Sequence, residues 1–392
     1  MDTFPKHLAK TTPYPFGIKI SHAKGSYIYD TEGKAYLDFI SGISVSNIGH
    51  GNQKVVDAIK SQADKHLHVM VYGEYEQAPQ TAYANLLCQL LPEQLNQVYF
   101  VNSGAEATEG ALKLAKRVTG RTQLIACNKS YHGSTHGALS VTGNETKKYA
   151  FRPLLPDVKF IEFNSLPELE TITSKTAAVI IEPIQGDAGV RIPSKKYLQS
   201  LRAKCNETGA LLIFDEIQTG FGRTGKMFAF EHFDVVPDIL TLGKALGGGL
   251  PMGAFISSAA YMEQLTSDPV LGHITTFGGH PIPCAAGLAA LEVMLNNNLI
   301  DQAESKGKQL ELGLQSKAVK EIRRMGLFFA IELHSHEDVR QVVNYCKDNG
   351  LIGFWFLSAN TSFRIAPPLT ISDQEIKQGI KVIQDAFDLL SN

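Results

Sequence analysis

Closely spaced cysteines are absent from this sequence of 392 residues. Its five cysteines are widely scattered and form no Cys-x-x-Cys pair; they are Cys88, Cys127, Cys205, Cys284 and Cys346. The odd number and the wide spacing argue against a disulfide framework and against a zinc site. We therefore expect a protein of a reducing compartment, the cytoplasm, with no bound metal.

Long apolar runs and an excess of charge are also missing. No run approaches the roughly 20 apolar residues of a membrane-spanning helix, and residues 1–6 lack the apolar stretch of a signal peptide. Lys and Arg number 37 and Asp and Glu 39, which gives a formal net charge of -2. Nucleic acid and membranes are therefore not expected as partners, and small-molecule substrates fit the composition better.

Short apolar runs recur through the middle of the chain and predict buried strands. They lie at residues 98–101, 124–127, 158–163, 177–181, 211–214, 239–242 and 253–256. Helical patterns separate several of them, for example at 106–118 and at 195–208, where Gly209 follows in a position that suits a helix end. This alternation predicts an α/β fold with helices on both faces of a mostly parallel sheet.

The chain exceeds the usual size of one domain, and two domains are expected. Residues 46–296 form the predicted large α/β domain. Beyond it, the pattern predicts helices at 301–314 and 337–348, strands at 327–333 and near 362–365, and a terminal helix. A predicted hairpin at 25–39, with its turn at 30–33, joins these elements. The predicted small α+β domain therefore comprises residues 1–45 and 297–392.

Polar residues that follow the predicted strands are the first candidates for a site, because ligands of open parallel sheets bind beyond the carboxyl ends of the strands. After 98–101 come Ser103, Gly104 and Ala105, which open a helix and could hold a phosphate at its N-terminus. The alternative is an ordinary capping box, with Ser103 as N-cap and Glu106 three residues later. This segment alone leaves both interpretations open.

Three further strand ends carry candidate groups. Asp215 could pair with a protonated pyridine nitrogen, or it could be a structural aspartate bonded to the glycine-rich loop behind it. Lys244, with three glycines shortly after it, could be an amine nucleophile with a lowered pKa, although a lone lysine is more often solvated. Tyr131 and His132 could stack on a cofactor ring or simply pack in the core.

Four segments, taken together, resemble the class III aminotransferases. This group of fold type I pyridoxal-phosphate enzymes includes the acetylornithine, ornithine and 4-aminobutyrate aminotransferases. The segments are Asn-Ser-Gly-Ala-Glu-Ala (102–107), Glu-Pro-Ile-Gln-Gly (182–186), Phe-Asp-Glu-Ile-Gln-Thr-Gly-Phe-Gly-Arg-Thr-Gly (214–225) and Leu-Gly-Lys-Ala-Leu-Gly-Gly-Gly (242–249). The resemblance covers essentially the whole chain. It implies a transaminase with pyridoxal 5'-phosphate as cofactor, a mostly parallel seven-stranded sheet in the large domain, and a smaller α+β domain.

The resemblance also implies a role for individual residues of the cofactor site. Lys244 would bind pyridoxal phosphate as a Schiff base and then move a proton as the general base, which makes it the catalytic residue. Asp215 would bind the pyridine nitrogen, and Gln218 would bind the ring 3-oxygen. The other implied contacts are with the phosphate (Ser103, Gly104, Ala105), with the face of the ring (Tyr131 or His132) and with the phosphate of the other subunit in a homodimer with shared active sites (Thr276).

Substrate recognition is implied by a further set of matches and departures. Arg364 would bind the α-carboxylate of 2-oxoglutarate or glutamate, a bidentate task that suits arginine. Glu182 would neutralise Arg364 when the other substrate binds, and Thr275 is a further candidate substrate contact. Ser134 stands where acetylornithine and ornithine enzymes usually have an arginine, and Ile43 stands where ornithine enzymes have a tyrosine. The amino donor therefore stays open among ω-amino acids, diamines and lysine-like compounds.

Two other functions stay open at this stage. Pyridoxal-phosphate racemases and aminomutases share this fold and the same lysine, and a fold does not fix a reaction. A non-catalytic scaffold is the third hypothesis. A scaffold would gain nothing from Lys244 and Asp215, because unused buried charges carry a desolvation cost.

Overall fold

The computed structural model describes residues 5–71 and 73–390. Its strands are β1 (Ile20–Lys24), β2 (Tyr27–Asp30), β3 (Ala35–Asp38), β4 (Gln97–Val101), β5 (Gln123–Cys127), β6 (Val158–Ile161), β7 (Thr176–Ile181), β8 (Leu211–Asp215), β9 (Ile239–Leu242), β10 (Gly253–Ser257), β11 (Glu321–Met325), β12 (Phe328–Glu332), β13 (Leu351–Ile352), β14 (Phe354–Trp355) and β15 (Ser362–Ile365). Its α-helices are α1 (Ser41–Ser44), α2 (Gln53–Lys65), α3 (Ala78–Gln89), α4 (Gly104–Thr119), α5 (His136–Val141), α6 (Lys195–Thr208), α7 (Ala259–Met262), α8 (Pro281–Asn296), α9 (Leu299–Gly313), α10 (His336–Asp348) and α11 (Asp373–Leu390). Residues 1–4 and 391–392, which belong to the predicted small domain, lie outside the described residues, and so does part of the segment 1–6 on which the expectation about a signal peptide rests.

The seven runs that predicted strands form a single seven-stranded sheet. Its order is β4-β10-β9-β8-β7-β5-β6. The pairs among β5 to β9 are parallel, whereas β10 runs antiparallel to both of its neighbours. Strands β5, β7, β8 and β9 are buried along their whole length, as expected for parallel strands that are covered on both faces. The predicted α/β class with a mostly parallel sheet is confirmed.

Local signals place the two best-predicted helices. Helix α4 begins after Ser103, whose hydroxyl accepts from the Glu106 N–H, and it ends at Gly120 in the left-handed conformation. Helix α6 has the predicted bounds and ends at Gly209, which is also left-handed. No helix within residues 5–71 and 73–390 is both long enough and apolar enough to cross a membrane.

Two smaller sheets flank the large one in sequence. The predicted hairpin is present as the antiparallel pair β2 and β3, and β13 pairs with β3 in parallel. The other sheet has the order β11-β12-β15-β14. Because β13 joins the N-terminal hairpin, elements from the N-terminal and C-terminal regions lie in one sheet. This pairing supports the proposal of one small domain made of residues 1–45 and 297–392.

A fully buried arginine connects the large sheet region to the C-terminal region. Arg223 Nη1 donates to the carbonyl oxygens of Leu327 (3.0 Å) and Pro367 (2.6 Å). Its Nη2 donates to the side-chain oxygen of Asn47. Burial lowers the pKa of Arg223 to about 9, and the Asp38 carboxylate opposes that shift. The arginine therefore bonds to three segments that are distant in sequence.

Candidate active site

The carboxyl ends of β4, β5, β7, β8 and β9 converge on one cavity of about 330 Å³. It lies where ligands of open parallel sheets bind. The predicted site residues that line it are Gly104, Ala105, Tyr131, His132, Glu182, Asp215, Gln218 and Lys244. The fold therefore brings together residues that span 140 positions of the sequence, and Ser103 directly precedes this set as the N-cap of α4.

Lys244 is the amine of the cavity. It begins the 3-10 turn Lys244–Gly247, one residue after the end of β9, and has a φ of 48°, a strained value for a residue with a side chain. Burial lowers the pKa of its amine, while the carboxylates of Asp215 and Glu182 oppose the shift. A lowered pKa increases the neutral, nucleophilic fraction of the amine.

Asp215 and His132 form a buried pair. The distance between His132 Nδ1 and Asp215 Oδ2 is 2.7 Å, and Asp215 Oδ1 accepts from the Ile217 N–H. The His132 backbone is held on both sides, since its N–H donates to the Thr142 hydroxyl and its carbonyl accepts from the Thr108 hydroxyl. The imidazole is thus placed to orient the Asp215 carboxylate. Tyr131 and His132 are both predicted to cover the face of a cofactor ring. Because His132 orients Asp215, Tyr131 is the one of the two that remains for that contact.

The start of α4 is capped, and it also has the features that the predicted phosphate contact requires. Ser103 Oγ accepts from the Glu106 N–H at 3.1 Å, and Glu106 Oε2 accepts from the Asn102 N–H at 2.7 Å, so the capping interpretation is correct. The first N–H groups of a helix still lack intrahelical partners and attract anions. A Cβ at Gly104 would meet Ile217 Cδ1 at 2.8 Å, so the backbone approaches its neighbours more closely than other residues allow.

Gln218 supplies an unsatisfied donor. Its Nε2 is buried and has no hydrogen-bond partner among the described residues. A buried donor of this kind carries a free-energy cost unless an acceptor bonds to it. Together with the anion-binding start of α4, the Asp215 carboxylate and the Lys244 amine, this donor fits an aromatic cofactor that bears a phosphate, a ring nitrogen and a ring oxygen.

Glu182 follows β7 and bonds to the backbone. Its two oxygens accept from the N–H groups of Tyr131 (3.0 Å) and Gly186 (2.8 Å). Burial raises the pKa of Glu182 to about 7, although His132 opposes the shift. These contacts give Glu182 a role in holding the Tyr131 loop.

The carboxylate that pairs with Arg364 in this structure is Asp187, whereas the resemblance implies that Glu182 neutralises Arg364 when the other substrate binds. Arg364 Nη2 lies 3.1 Å from Asp187 Oδ1, and both side chains are buried. Burial lowers the pKa of Arg364 and the Asp187 carboxylate opposes this shift. Burial alone would raise the pKa of Asp187, but Arg364 and Lys147 outweigh it and hold that pKa below its ordinary value. Asp187 stands directly after the Glu-Pro-Ile-Gln-Gly segment, and nothing in that local pattern marks it as the partner of Arg364.

Five predicted site residues are not among those that line the cavity. Ser103 and Arg364 adjoin it, through Gly104 and through Asp187 respectively, whereas three others lie apart from it. Thr275 Oγ1 accepts from Asn102 Nδ2 (3.1 Å) and from the Gly278 N–H (2.7 Å), beside a separate pocket. Thr276 is exposed. Ile43 packs against Tyr36, Ile40 and Ile352 in a small apolar cluster. Within this one chain, these three residues lie outside the group around Lys244.

Comparison with known proteins gives a consistent result. The family model described as aminotransferase class-III matches residues 9–387. The acetylornithine aminotransferase of Methanopyrus kandleri is 40% identical, with 95% of each chain covered. The putrescine aminotransferase of Pectobacterium atrosepticum is 39% identical, and the match covers 97% of this chain and 85% of the relative. The crystal structure of the ornithine aminotransferase of Toxoplasma gondii matches with a TM-score of 0.90 and 32% identity, over 97% of this chain and 92% of the other.

Proposed function

Because the chain belongs to the class III aminotransferases, we propose that it transfers the terminal amino group of a linear aliphatic amine or ω-amino acid to 2-oxoglutarate. The protein is a pyridoxal-phosphate-dependent aminotransferase that acts on small amino and oxo compounds. The donor class is supported by the relatives, which are named for acetylornithine and putrescine. The acceptor is supported by the unused hydrogen-bond donors of Arg364.

Five groups of the cavity fit the bound cofactor. The N-terminus of α4 with Ser103 would hold the phosphate, Asp215 the ring nitrogen, and Gln218 Nε2 the ring oxygen, while Tyr131 would cover the ring. When bound, pyridoxal phosphate supplies an electron-deficient ring that accepts the electrons of a breaking bond at the amine-bearing carbon. Lys244 would hold the cofactor through its neutral amine and would carry a proton at Nζ. His132 would keep the Asp215 carboxylate oriented.

The observation that carries the choice of acceptor is the state of Arg364. Its Nε is buried and has no hydrogen-bond partner within the described residues, and only one of its nitrogens, Nη2, bonds to Asp187. A planar guanidinium with free donors suits bidentate binding of a carboxylate. Asp187, which pairs with Arg364, lines the same cavity as Lys244, and the charge of Arg364 contributes to lowering the pKa of the Lys244 amine. We therefore propose that Arg364 binds the α-carboxylate of 2-oxoglutarate and of glutamate.

Asp187 would take the neutralising role that the resemblance implies for Glu182. When a donor presents a terminal amine without a neighbouring carboxylate, the Asp187 carboxylate remains on Arg364 and compensates its charge. When an oxo acid binds, its carboxylate takes the free donors of Arg364. One site could then serve both halves of a ping-pong exchange, because the charge of Arg364 is compensated in each of them.

A homodimer with shared active sites is also proposed. Support comes from exposed apolar side chains on the segment that carries Thr276, namely Val270, Leu271, Ile274 and Phe277. Exposed apolar patches of this kind mark interfaces between subunits. Thr276 itself is exposed in the single chain and would face the phosphate of the partner subunit. A cytoplasmic location is proposed on the five free thiols, four of which are buried.

The test is a substrate screen with the purified holoenzyme. Terminal amines such as putrescine, ornithine and acetylornithine are each paired with 2-oxoglutarate or pyruvate, and glutamate or alanine formation is measured. We expect glutamate formation with at least one terminal amine, and a rise of about tenfold or more in the KM for 2-oxoglutarate in Arg364→Lys. The exposed Arg340 gives the matched control, Arg340→Lys. An equal KM for 2-oxoglutarate in the wild type and in Arg364→Lys would exclude the proposed acceptor site.

A further inference from the structure

Asp187 is bonded by four donors, two on each carboxylate oxygen. Oδ1 accepts from Arg364 Nη2 (3.1 Å) and from the Leu357 backbone N–H (3.1 Å). Oδ2 accepts from Lys147 Nζ (2.8 Å) and from the Ser358 hydroxyl (2.8 Å). The carboxylate is therefore shared between two cations, and each cation has an oxygen of its own.

The bond from Arg364 is the looser of the two ionic contacts. Arg364 gives Asp187 a donor from Nη2 alone, and its Nε stays without a partner in the described part of the chain. Its guanidinium lies over the Phe356 ring, 4.0 Å from the ring centre. An aromatic face attracts the cation without using its N–H donors. Arg364 can therefore turn toward a second carboxylate while it stays on Phe356.

The contact between Lys147 and Asp187 depends on a short turn that positions Lys147. Lys147 ends the 3-10 turn Glu145–Lys147. Asn144 caps this turn by accepting from the Thr146 N–H (3.1 Å), and its Nδ2 donates to Ser358 Oγ (2.9 Å). One turn thus positions both groups that bond Oδ2 of Asp187. Lys147 Nζ also lies 4.8 Å from the centre of the Tyr131 ring, on the loop that lines the cavity.

The other two cations near this turn pair with Glu145 and not with Asp187. Lys148 pairs with Glu145 at 3.7 Å and lies over the Phe160 ring. Arg152 also pairs with Glu145, at 2.6 Å. Asp187 is therefore the anion to which Lys147 is directed.

We propose that Lys147 is a positioning residue for substrate carboxylates, because it keeps Asp187 compensated and in place when Arg364 binds the α-carboxylate of an oxo acid. This inference rests on the proposed role of Arg364. A buried carboxylate that loses its cation carries a large free-energy cost. With Lys147 present, Asp187 retains one cation after Arg364 turns away. Without Lys147, Asp187 would retain Arg364 and compete with the substrate for it.

The experiment measures binding of glutarate, an unreactive dicarboxylate, to the holoenzyme by calorimetry. Lys147→Met removes the charge and keeps an unbranched side chain, whereas Lys147→Arg keeps the charge. Lys129→Met is the matched control, because Lys129 is exposed and lies on the connection from β5 to Tyr131, outside the turn that carries Lys147. Ser358→Ala removes the neutral donor from the same oxygen of Asp187 and serves as a second, milder variant.

We expect Lys147→Met to weaken glutarate binding by about fivefold, the loss of one partly exposed ionic contact. Lys147→Arg, Lys129→Met and Ser358→Ala should stay within about twofold of the wild type. The KM for 2-oxoglutarate should rise in parallel in Lys147→Met. The rate of amine transfer from putrescine to the cofactor, which needs no carboxylate at Arg364, should stay unchanged.

Two results would overturn the inference. The first is a glutarate affinity of Lys147→Met equal to that of the wild type. The second is an equal loss for glutarate and for putrescine, since that result would mean that Lys147 only maintains the local structure. Arg364→Lys separates this failure from failure of the proposed function: if Arg364→Lys also leaves glutarate binding unchanged, the carboxylate site itself is misassigned.

Discussion

The Nδ1 atom of His132 lies 2.7 Å from Oδ2 of Asp215, and both side chains are buried. The second oxygen of Asp215 accepts from the Ile217 N–H at 3.0 Å. The carboxylate is therefore fixed from two sides while it faces the cavity that contains Lys244. An anion in a fixed orientation compensates a ring cation without reorganisation at the moment of reaction.

Substitution of either residue of this pair should reduce activity, and the loss should be larger for Asp215 than for His132. Asp215→Asn removes the charge that is proposed to face the ring nitrogen, and we expect kcat to fall by roughly a hundredfold or more. His132→Asn removes only the orienting partner, and a loss of about tenfold is expected. Steady-state kinetics check both values, and titration with pyridoxal phosphate separates weaker cofactor binding from slower turnover. A larger loss in His132→Asn than in Asp215→Asn would contradict the assigned order of roles.

The buried carboxyl of Glu216 should give a measurable pH dependence of stability. Burial raises its pKa from 4.5 to about 7, although it accepts from the N–H groups of Ala229 and Phe230. Between pH 4.5 and 7 the folded state therefore holds a proton that the unfolded state has lost, so this group's contribution is lost as pH rises. The slope is at most about 1.4 kcal/mol per pH unit.

Glu216→Gln cannot titrate, so its unfolding free energy should fall less steeply across that range. Urea unfolding at several pH values measures the difference in slope, which does not depend on any constant packing defect of the variant. The exposed Glu93 provides the control, and Glu93→Gln should keep the slope of the wild type. Parallel curves for the wild type and Glu216→Gln would exclude a raised pKa at this site.

Arg223 should contribute strongly to stability. Arg223→Met would leave the carbonyl oxygens of Leu327 and Pro367 without the donors that they now share. We expect the free energy of unfolding to fall by about 3 kcal/mol, the cost of breaking a buried network of a charged group. Arg340→Met, at an exposed ion pair, should change it by less than about 0.5 kcal/mol. Equal melting temperatures for these two variants would argue against the anchoring role.

Ser134 should influence the choice of donor. Its hydroxyl lies 3.2 Å from the Tyr131 hydroxyl at the wall of the cavity. Ser134→Arg introduces a cation that can bind a donor carboxylate, so kcat/KM for ornithine should rise relative to that for putrescine by about tenfold. Ser134→Gln, which has no charge, should leave the ratio near that of the wild type. A ratio that is unchanged in Ser134→Arg would mean that the donor carboxylate lies elsewhere.

Much of the fold could be predicted because it depends on local patterns. All seven predicted strands of the large sheet are present, and α6 has its predicted bounds, because apolar runs, caps and left-handed glycines act over a few residues. Helix α8, with the sequence Pro-Ile-Pro-Cys-Ala-Ala-Gly-Leu-Ala-Ala-Leu-Glu-Val-Met-Leu-Asn, was not predicted. It is apolar on nearly all sides, so it has no amphipathic period. The two-residue strands β13 and β14 are too short to produce any pattern.

The sequence by itself determined the chemistry of the protein: which residues follow the strands, and therefore that a lysine, an aspartate and a helix N-terminus meet at one edge of a parallel sheet. Only the tertiary structure decided which charges pair. Asp187 and Arg364 are 177 positions apart, and no local pattern distinguishes Asp187 from Glu182 as the partner. The energy of an ion pair depends on distance and burial, which arise when separate segments pack together. The packing of separate segments likewise determines that His132 pairs with Asp215 and that Lys147 pairs with Asp187.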